Sequence, residues 1–334
     1  MANEIKAWTF THGGYPNALH RTTIPKDRAP LKTSEILIRV KAASINPVDI
    51  QLMGYPLMKY IPNLLLRSQK GVGEDFAGIV EESGPDSGYE RGDEVLGIGP
   101  FLPSGTLQEI IKLDTRSTQA LVVRKPADWS WEQAGALPLV WLTARTLVEG
   151  VASQVTNKKV AVLGGSSSCG MYAVHLARQR GWEVIATCSG RNTEFVKSMG
   201  AKETIDYTLG GVQQRLKSFA PDAIIDCVGG TDCIGLCKRY VTVVGDKTNR
   251  MSMGGAFIYL GNPRMVLRTV LGWTGLMPSY ACFNLSLRSS YLRELSCLPK
   301  DKIIVDSTYD FDHVKEAFER LNTGRTRGKV VIIF

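Results

Sequence analysis

Residues 160–192, VAVLGGSSSCGMYAVHLARQRGWEVIATCSGRN, constrain the fold more than any other stretch of the chain. An apolar run, VAVL, leads into a tight Gly-Ser loop. GMYAVHLARQRG then carries apolar residues at helical spacing up to Gly181, and WEVIATCS reads as a second buried strand. Strand, tight loop, helix and strand in this order make a dinucleotide-binding βαβ unit. Its fingerprint G-x-G-x-x-G reads here Gly165-x-Ser167-x-x-Gly170, preceded by Gly164. The first glycine makes the turn and the last lets the helix pack close to the strand. The middle one normally admits the pyrophosphate to the backbone, and Ser167 stands in its place. A Cβ there pushes phosphates outward. The hydroxyls of Ser166, Ser167 and Ser168, with Cys169 beside them, offer side-chain donors in exchange.

The end of the second strand bears on the cofactor. Sites for NAD place an Asp or Glu there to hold the ribose 2′-hydroxyl. This strand ends in IATCSGRN, with Ser189 and Arg191 and no acid. A hydroxyl and a guanidinium suit a 2′-phosphate, which points to NADPH. Tyr207, in IDY, covers the adenine side on this reading. Alternatively, Arg191 is a solvated loop residue.

The rest of the chain divides by texture. EILIRVKAASI, FAGIVEES, GDEVLGIG and GTLQEIIKL read as strands joined by turns rich in glycine. From residue 126 a helical stretch leads into alternating strands and helices, the pattern of a parallel doubly wound sheet. YVTVVG and GAFIYLG read as its further strands, and GKVVIIF as a last strand returning to the N-terminal β domain. A chain of 334 residues suits two domains. The expected fold is α/β, with boundaries at 1–125 plus 290–334 for the β domain and 126–289 for the Rossmann domain.

Charge and cysteines narrow the class. Net charge is +8, but the basic residues are scattered, so no nucleic-acid partner is expected. Seven cysteines with no C-x-x-C pair suit a reduced, intracellular compartment, cytoplasmic on this reading, with mitochondrial or lipid-surface locations left open. Residues 265–287, MVLRTVLGWTGLMPSYACFNLSL, are too interrupted for a membrane span. They read as buried or interface structure, with a membrane surface as the alternative. Only His12, His20, His175 and His313 occur, and none has a ligand partner in the sequence, so no metal is expected.

The order VKAASINPVD, GEDFAGIVEESG, GDEVLG, AGALPLVWLTA, the serine loop, IDCVGG and GKVVI resembles the medium-chain dehydrogenase/reductases over nearly the whole chain. Within that superfamily it is similar to the zinc-free quinone oxidoreductase branch, near the reticulon-interacting oxidoreductases and fungal trans-acting enoyl reductases. The resemblance implies a GroES-like β-barrel domain built from both chain ends around a Rossmann domain, with substrate between them. Zinc-using members place a cysteine near Asn46 and a histidine at Glu74, and this chain lacks both. The resemblance implies hydride transfer from NADPH to an activated C=C bond or a quinone, on a small apolar or acyl-type substrate, by a monomer or homodimer. It implies Asn46 and Asp49 at the nicotinamide edge, Thr143 on the nicotinamide ribose or phosphate, Tyr55 on the substrate side, and Gly245 and Lys329 among the cofactor contacts.

Each has a plainer alternative. Asn46 and Asp49 suit a helix cap, and Tyr55 a packed aromatic. Met53, Met58, Leu64–Leu66 and Trp141 suit either an apolar substrate wall or the core. The proton that follows the hydride comes from Tyr55, Tyr60 or water, and the sequence does not choose. Two other functions stay open: a non-redox cyclase or isomerase, suggested by the altered glycine loop, and a cofactor-sensing or lipid-surface binding protein.

Overall fold

The computed structural model describes residues 4–11, 13–27, 29–55, 69–99, 104–247, 249, 251–252, 254, 259 and 262–334. Met58, Tyr60, Leu64–Leu66, His12 and most of GAFIYLG therefore lie outside the described residues. In chain order the strands are β1 (Glu4–Phe10), β2 (Leu19–Pro25), β3 (Glu35–Ile45), β4 (Lys70–Gly71), β5 (Asp75–Ser83), β6 (Glu94–Ile98), β7 (Ile110–Asp114) and β8 (Leu121–Arg124). They continue with β9 (Lys159–Leu163), β10 (Glu183–Cys188), β11 (Glu203–Asp206), β12 (Ala223–Asp226), β13 (Arg239–Thr242), β14 (Ser279–Cys282), β15 (Val305–Asp310) and β16 (Lys329–Ile333). The helices used below are α1 (Pro47–Met53), α2 (Trp131–Ala136), α3 (Pro138–Ala152), α4 (Ser168–Gln179) and α5 (Pro263–Trp273).

The chain forms two compact units, Met1–Leu139 with Leu287–Phe334, and Val140–Ser286. The first is a β unit. Its larger sheet runs β15-β16-β3-β5-β6-β8, with β7 also on β3, and β2-β1-β4 form a smaller sheet. β3 is the organising strand, pairing antiparallel with β5, β7 and β16. Its apolar residues Ile36, Ile38, Val40, Ala42, Ala43 and Ile45 are all buried. The C-terminal run GKVVIIF does return here: Val330 to Ile333 pair with Ile45 to Ala42.

The boundary of this unit lies beyond residue 125. α2 sits on β3, and a Cβ added at Gly135 would lie 3.0 Å from the Ala42 Cβ. That close approach, with Ala136 buried against Ala42 and Val331, ties residues 131–136 to the β unit. Helical spacing showed that this segment is a helix but not which sheet it covers.

The second unit is a six-stranded parallel sheet in the order β11-β10-β9-β12-β13-β14. β9, β10 and β12 are almost wholly buried, which is why they read as unbroken apolar runs rather than alternating ones. The order reverses between β9 and β12, so the chain leaves the sheet in opposite directions on either side of that gap. A crevice at the carboxyl ends of such strands is where doubly wound sheets take ligands. β14 lies inside the stretch 265–287, which thus supplies the sheet's last strand and, before it, the exposed helix α5.

Candidate functional site

The serine loop begins where β9 ends, at the switch point. Gly164 takes φ +80°, and a Cβ there would meet Val228 Cγ1 at 2.3 Å, so both conformation and space demand glycine. Gly164 N–H donates to Thr187 Oγ1 at 2.8 Å and Gly165 N–H to Thr187 O at 2.8 Å, anchoring the loop to β10. Ser167 has ordinary extended backbone angles, φ −72° and ψ 157°, and is the N-cap of α4. Its Oγ accepts from Gly170 N–H at 3.0 Å and donates to Gly164 O at 2.7 Å. A Cβ on Gly170 would lie 2.1 Å from that same oxygen.

This changes the expected role of Ser167. Its hydroxyl proton is committed to Gly164 rather than offered to a phosphate, because capping the helix and closing the turn need the same atom. The position does not require glycine, since its φ is negative. Ser166, Ser168 and Cys169 are part-buried around the first turn of α4, whose N-terminus carries the partial positive charge that anions seek.

The far end of β10 holds the second part. Ser189 leads into a single turn, Gly190–Asn192, and its Oγ accepts from Asn192 Nδ2 at 3.3 Å. Arg191 is exposed on this turn, and Tyr207 is 58% exposed just past β11. The structure adds an acid that inspection of β10 alone missed. Asp206 stands opposite Cys188 in the parallel register and comes within 2.5 Å of where a Gly190 Cβ would be. Its Oδ1 accepts from Thr208 Oγ1 at 2.7 Å and from Thr208 N–H at 2.9 Å. Those bonds from Thr208, with one from the Gly190 N–H, hold the carboxyl below its usual range. Oδ1 is used within its own turn, and the carboxyl also accepts from the Gly190 backbone.

On the other side of the switch point, Asp226 ends β12. It accepts from Thr242 Oγ1 at 2.7 Å and from the N–H groups of Val228 and Gly229 at 2.9 Å each. Thr242 Oγ1 in turn accepts from Gly245 N–H at 2.9 Å. Gly245 is thus part of a lock joining the ends of β12 and β13. Thr143 is buried on α3.

The β unit holds a second polar centre, buried and charged. Lys329, at the start of β16, is 3% exposed, and Asp75, at the start of β5, is fully buried. The Lys329 ammonium donates to Asp75 Oδ2 at 2.8 Å and to Asn46 Oδ1 at 2.5 Å. Asp75 also accepts from Ser44 Oγ at 2.7 Å, Asn46 Nδ2 at 3.0 Å and Leu139 N–H at 2.6 Å. Asp49 accepts from the N–H groups of Asn46 at 2.7 Å and Gly73 at 2.9 Å, so it ties the start of α1 to the strand that follows. Asn46 and Asp49 therefore do form a capping pair, and both are also members of this cluster. Tyr55 lies half-buried past the end of α1, its N–H donating to Leu52 O at 3.1 Å.

Glu74 completes the group. It is 2% exposed, and its Oε1 has no hydrogen-bond partner. Three buried carboxyls thus share one ammonium, and ionising all three would leave uncompensated charge in a dry interior. Burial pushes Glu74 well above its ordinary value, and neighbouring Asp49 and Asp75 push it further. Burial raises Asp49 to about 6, against the lowering effect of its two backbone hydrogen bonds and Lys329.

Two family models match the chain: "Alcohol dehydrogenase GroES-like domain" over residues 32–122 and "Zinc-binding dehydrogenase" over 199–332. Mouse "NAD(P)H oxidoreductase RTN4IP1, mitochondrial" is 32% identical over 330 residues, covering 90% of this chain and 81% of that protein. "Trans-enoyl reductase pvhC" of Talaromyces variabilis is 31% identical over 265 residues, covering 73% of this chain and 69% of its own. The quinone oxidoreductase of Coxiella burnetii superposes with a TM-score of 0.80 at 27% identity, covering 99% of each chain. The chain belongs to the quinone oxidoreductase-like medium-chain dehydrogenase/reductases. It is an oxidoreductase of that family, with the GroES-like and Rossmann units the motifs implied.

One of the matching models is named for zinc, so the donors of this family member bear on the metal question. Among the described residues no group of three or more His, Cys, Asp or Glu is placed to hold a metal ion. Asp75, next to Glu74, accepts from four donors, one of them the Lys329 ammonium. A cation already occupies that ground, and Asn46 replaces the thiolate. The residues do not fit a catalytic zinc.

Four outcomes follow from these contacts. Ser167→Ala removes the cap and should cost about 1 kcal/mol, against a few tenths for Ser167→Gly, read from urea midpoints. Ser167→Gly should retain cofactor binding, since glycine is what the fingerprint expects there. Lys329→Met strands the buried carboxylates and should destabilise by about 3–5 kcal/mol in the same assay. The raised carboxyls set a pH dependence. A group whose pKa is raised on folding contributes stability at low pH and loses it as pH rises through the folded value. Glu74→Gln cannot ionise, so its stability relative to the unaltered protein should grow from neutral into mildly alkaline pH. A constant difference across that range would mean that Glu74 is already ionised at neutral pH.

Proposed function

We propose that the chain is an NADPH-dependent, metal-independent reductase of an electron-poor carbon, either in an activated C=C bond (enone or enoyl) or in a quinone. The observation that carries this reading is the phosphate loop at the switch point, followed just past β10 by Ser189 and Arg191 in place of the ribose-binding acid. The cofactor is NADPH. Its pyrophosphate would be held at the N-terminus of α4, between Gly164 and Gly170, and its 2′-phosphate by Ser189 and Arg191. Tyr207 would cover the adenine. The bound cofactor supplies hydride; the chain's residues supply orientation and a proton.

The substrate class comes from relatives named for NAD(P)H oxidoreduction, enoyl reduction and quinone oxidoreduction. Addition of hydride to a conjugated acceptor moves the π electrons onto oxygen, and a proton must then reach carbon or oxygen. Burial beside Asp49 and Asp75 favours the neutral form of Glu74, which makes its carboxyl the candidate on this reading for holding that proton. Asn46 and Asp49 act as positioning residues, fixing α1 and the turn at Gly73 around this acid. Lys329 offsets the charge of Asp75 and takes the place that a metal would otherwise need.

The non-redox alternative drew its support from Ser167 at a glycine position. The capping geometry removes that support, since the serine closes the loop without opening it.

Calorimetric titration with NADPH and NADH tests the cofactor assignment. NADPH should bind with clear preference. Arg191→Ala should weaken NADPH by about 1.5–3 kcal/mol, roughly tenfold or more, and leave NADH nearly unchanged. Equal losses for both would show that Arg191 does not read the 2′-phosphate, and preference for NADH would return Asp206 as the ribose acid.

A further inference from the structure

Helix α5 is turned inside out. Val266, Leu267, Val270 and Trp273 fall within one third of the helical circumference and face solvent, with Leu267 59% and Trp273 77% exposed. The turn after the helix folds back on Leu271 O and adds Leu276, 75% exposed, and Met277. The inward face is the polar one. Arg268 pairs with Asp246 at 2.8 Å, and Thr269 Oγ1 meets the Tyr259 hydroxyl at 3.0 Å. Only Met265 is a buried apolar residue on this helix. An amphipathic helix normally buries its apolar stripe in its own core, so this one presents that stripe to something else.

Charge says what. From Lys247 to Ser286, the remainder of this unit, the sequence has no Asp or Glu and carries Lys247, Arg250, Arg264 and Arg268. Arg264 is exposed on the flank of the apolar face, and the whole chain carries +8. A Trp at the end of an apolar stripe, leucines beside it and a flank that carries Arg264 and no acid suit a helix lying in an anionic lipid interface. A second copy docked on the same face would bring no Asp or Glu from residues 247–286 to meet Arg264, whereas an anionic surface supplies that charge. Among the described residues no helix is long and apolar enough to cross a membrane, so the contact would be peripheral.

We infer that the exposed face of Pro263–Met277 is a docking surface for an anionic lipid bilayer, with Leu267, Trp273 and Leu276 entering the interface and Arg264 meeting the headgroups. It would hold a reductase of apolar acceptors at the surface where such acceptors partition. A Lys or Arg near an anionic surface multiplies binding about fivefold, so screening Arg264 with high salt should weaken the contact about fivefold.

Flotation of the full chain with vesicles tests this. At physiological salt it should rise with phosphatidylcholine vesicles containing phosphatidylglycerol and stay behind with phosphatidylcholine alone. The triple variant Leu267→Gln, Trp273→Gln, Leu276→Gln changes only exposed side chains and should bind about tenfold less or weaker. In the unaltered chain, brominated lipid should quench tryptophan fluorescence, and Trp273→Phe should remove that quenching. No flotation with anionic vesicles, undiminished flotation of the triple variant, or quenching unchanged by Trp273→Phe would overturn the inference. So would a dimer in sedimentation that the triple variant turns into monomer, which would assign the face to a second copy.

Discussion

The buried pair of Lys329 and Asp75 is the constraint around which the β unit is built. It joins residues 254 positions apart, bringing the last strand of the chain to the start of β5. A lone ammonium or a lone carboxylate could not stay in this interior. The fold therefore surrounds the pair with Ser44 and Asn46 from the end of β3 and the Leu139 N–H from the first turn of α3. Through Asn46 the pair sets the start of α1, and through Asp49 the start of α1 sets the turn at Gly73. The electrostatic centre and the chain geometry of this unit are one arrangement.

Much of the fold was legible from residue patterns, for physical reasons. Strands buried on both faces must be continuously apolar, so β9, β10 and β12 stood out, as did the returning strand β16. The phosphate loop was legible because only glycine serves at Gly164 and Gly170. What patterns could not show was partnership. α2 looked like the start of the Rossmann unit until its packing on Ala42 placed it with the β unit. Residues 265–287 looked apolar enough to be buried, but hydropathy cannot say which way a helix turns, and α5 turns its apolar side outward.

The candidate site shows the same division. Gly164, Gly165, Ser166 to Gly170, Ser189 and Arg191 are gathered at the carboxyl ends of β9 and β10 in the parallel sheet, as their order along β9, α4 and β10 implied. Asp206 was missed because it enters from the neighbouring strand, and only the register opposite Cys188 exposes it. Ser167 reads in sequence as a phosphate donor, whereas here its hydroxyl caps α4 and bonds Gly164 O; a hydroxyl at a helix start has both uses, and the sequence does not show which the backbone takes. Asn46, Asp49 and Lys329 resemble cofactor contacts in sequence, but in space they belong to the buried cluster around Asp75. Glu74, noted only as the residue in a histidine's place, is the group whose unpartnered oxygen and acidic neighbours favour its neutral form.

Metal-independent reduction by NADPH is the central claim, and it is most directly tested by turnover after exhaustive removal of metal. Protein dialysed against a strong chelator, with metal content checked by elemental analysis, would be given NADPH and a panel of enones, enoyl thioesters and quinones, and NADPH absorbance followed. Undiminished NADPH oxidation with at least one acceptor is the result that the Lys329–Asp75 arrangement predicts. Loss of that turnover on chelation, with recovery on adding zinc, would contradict it.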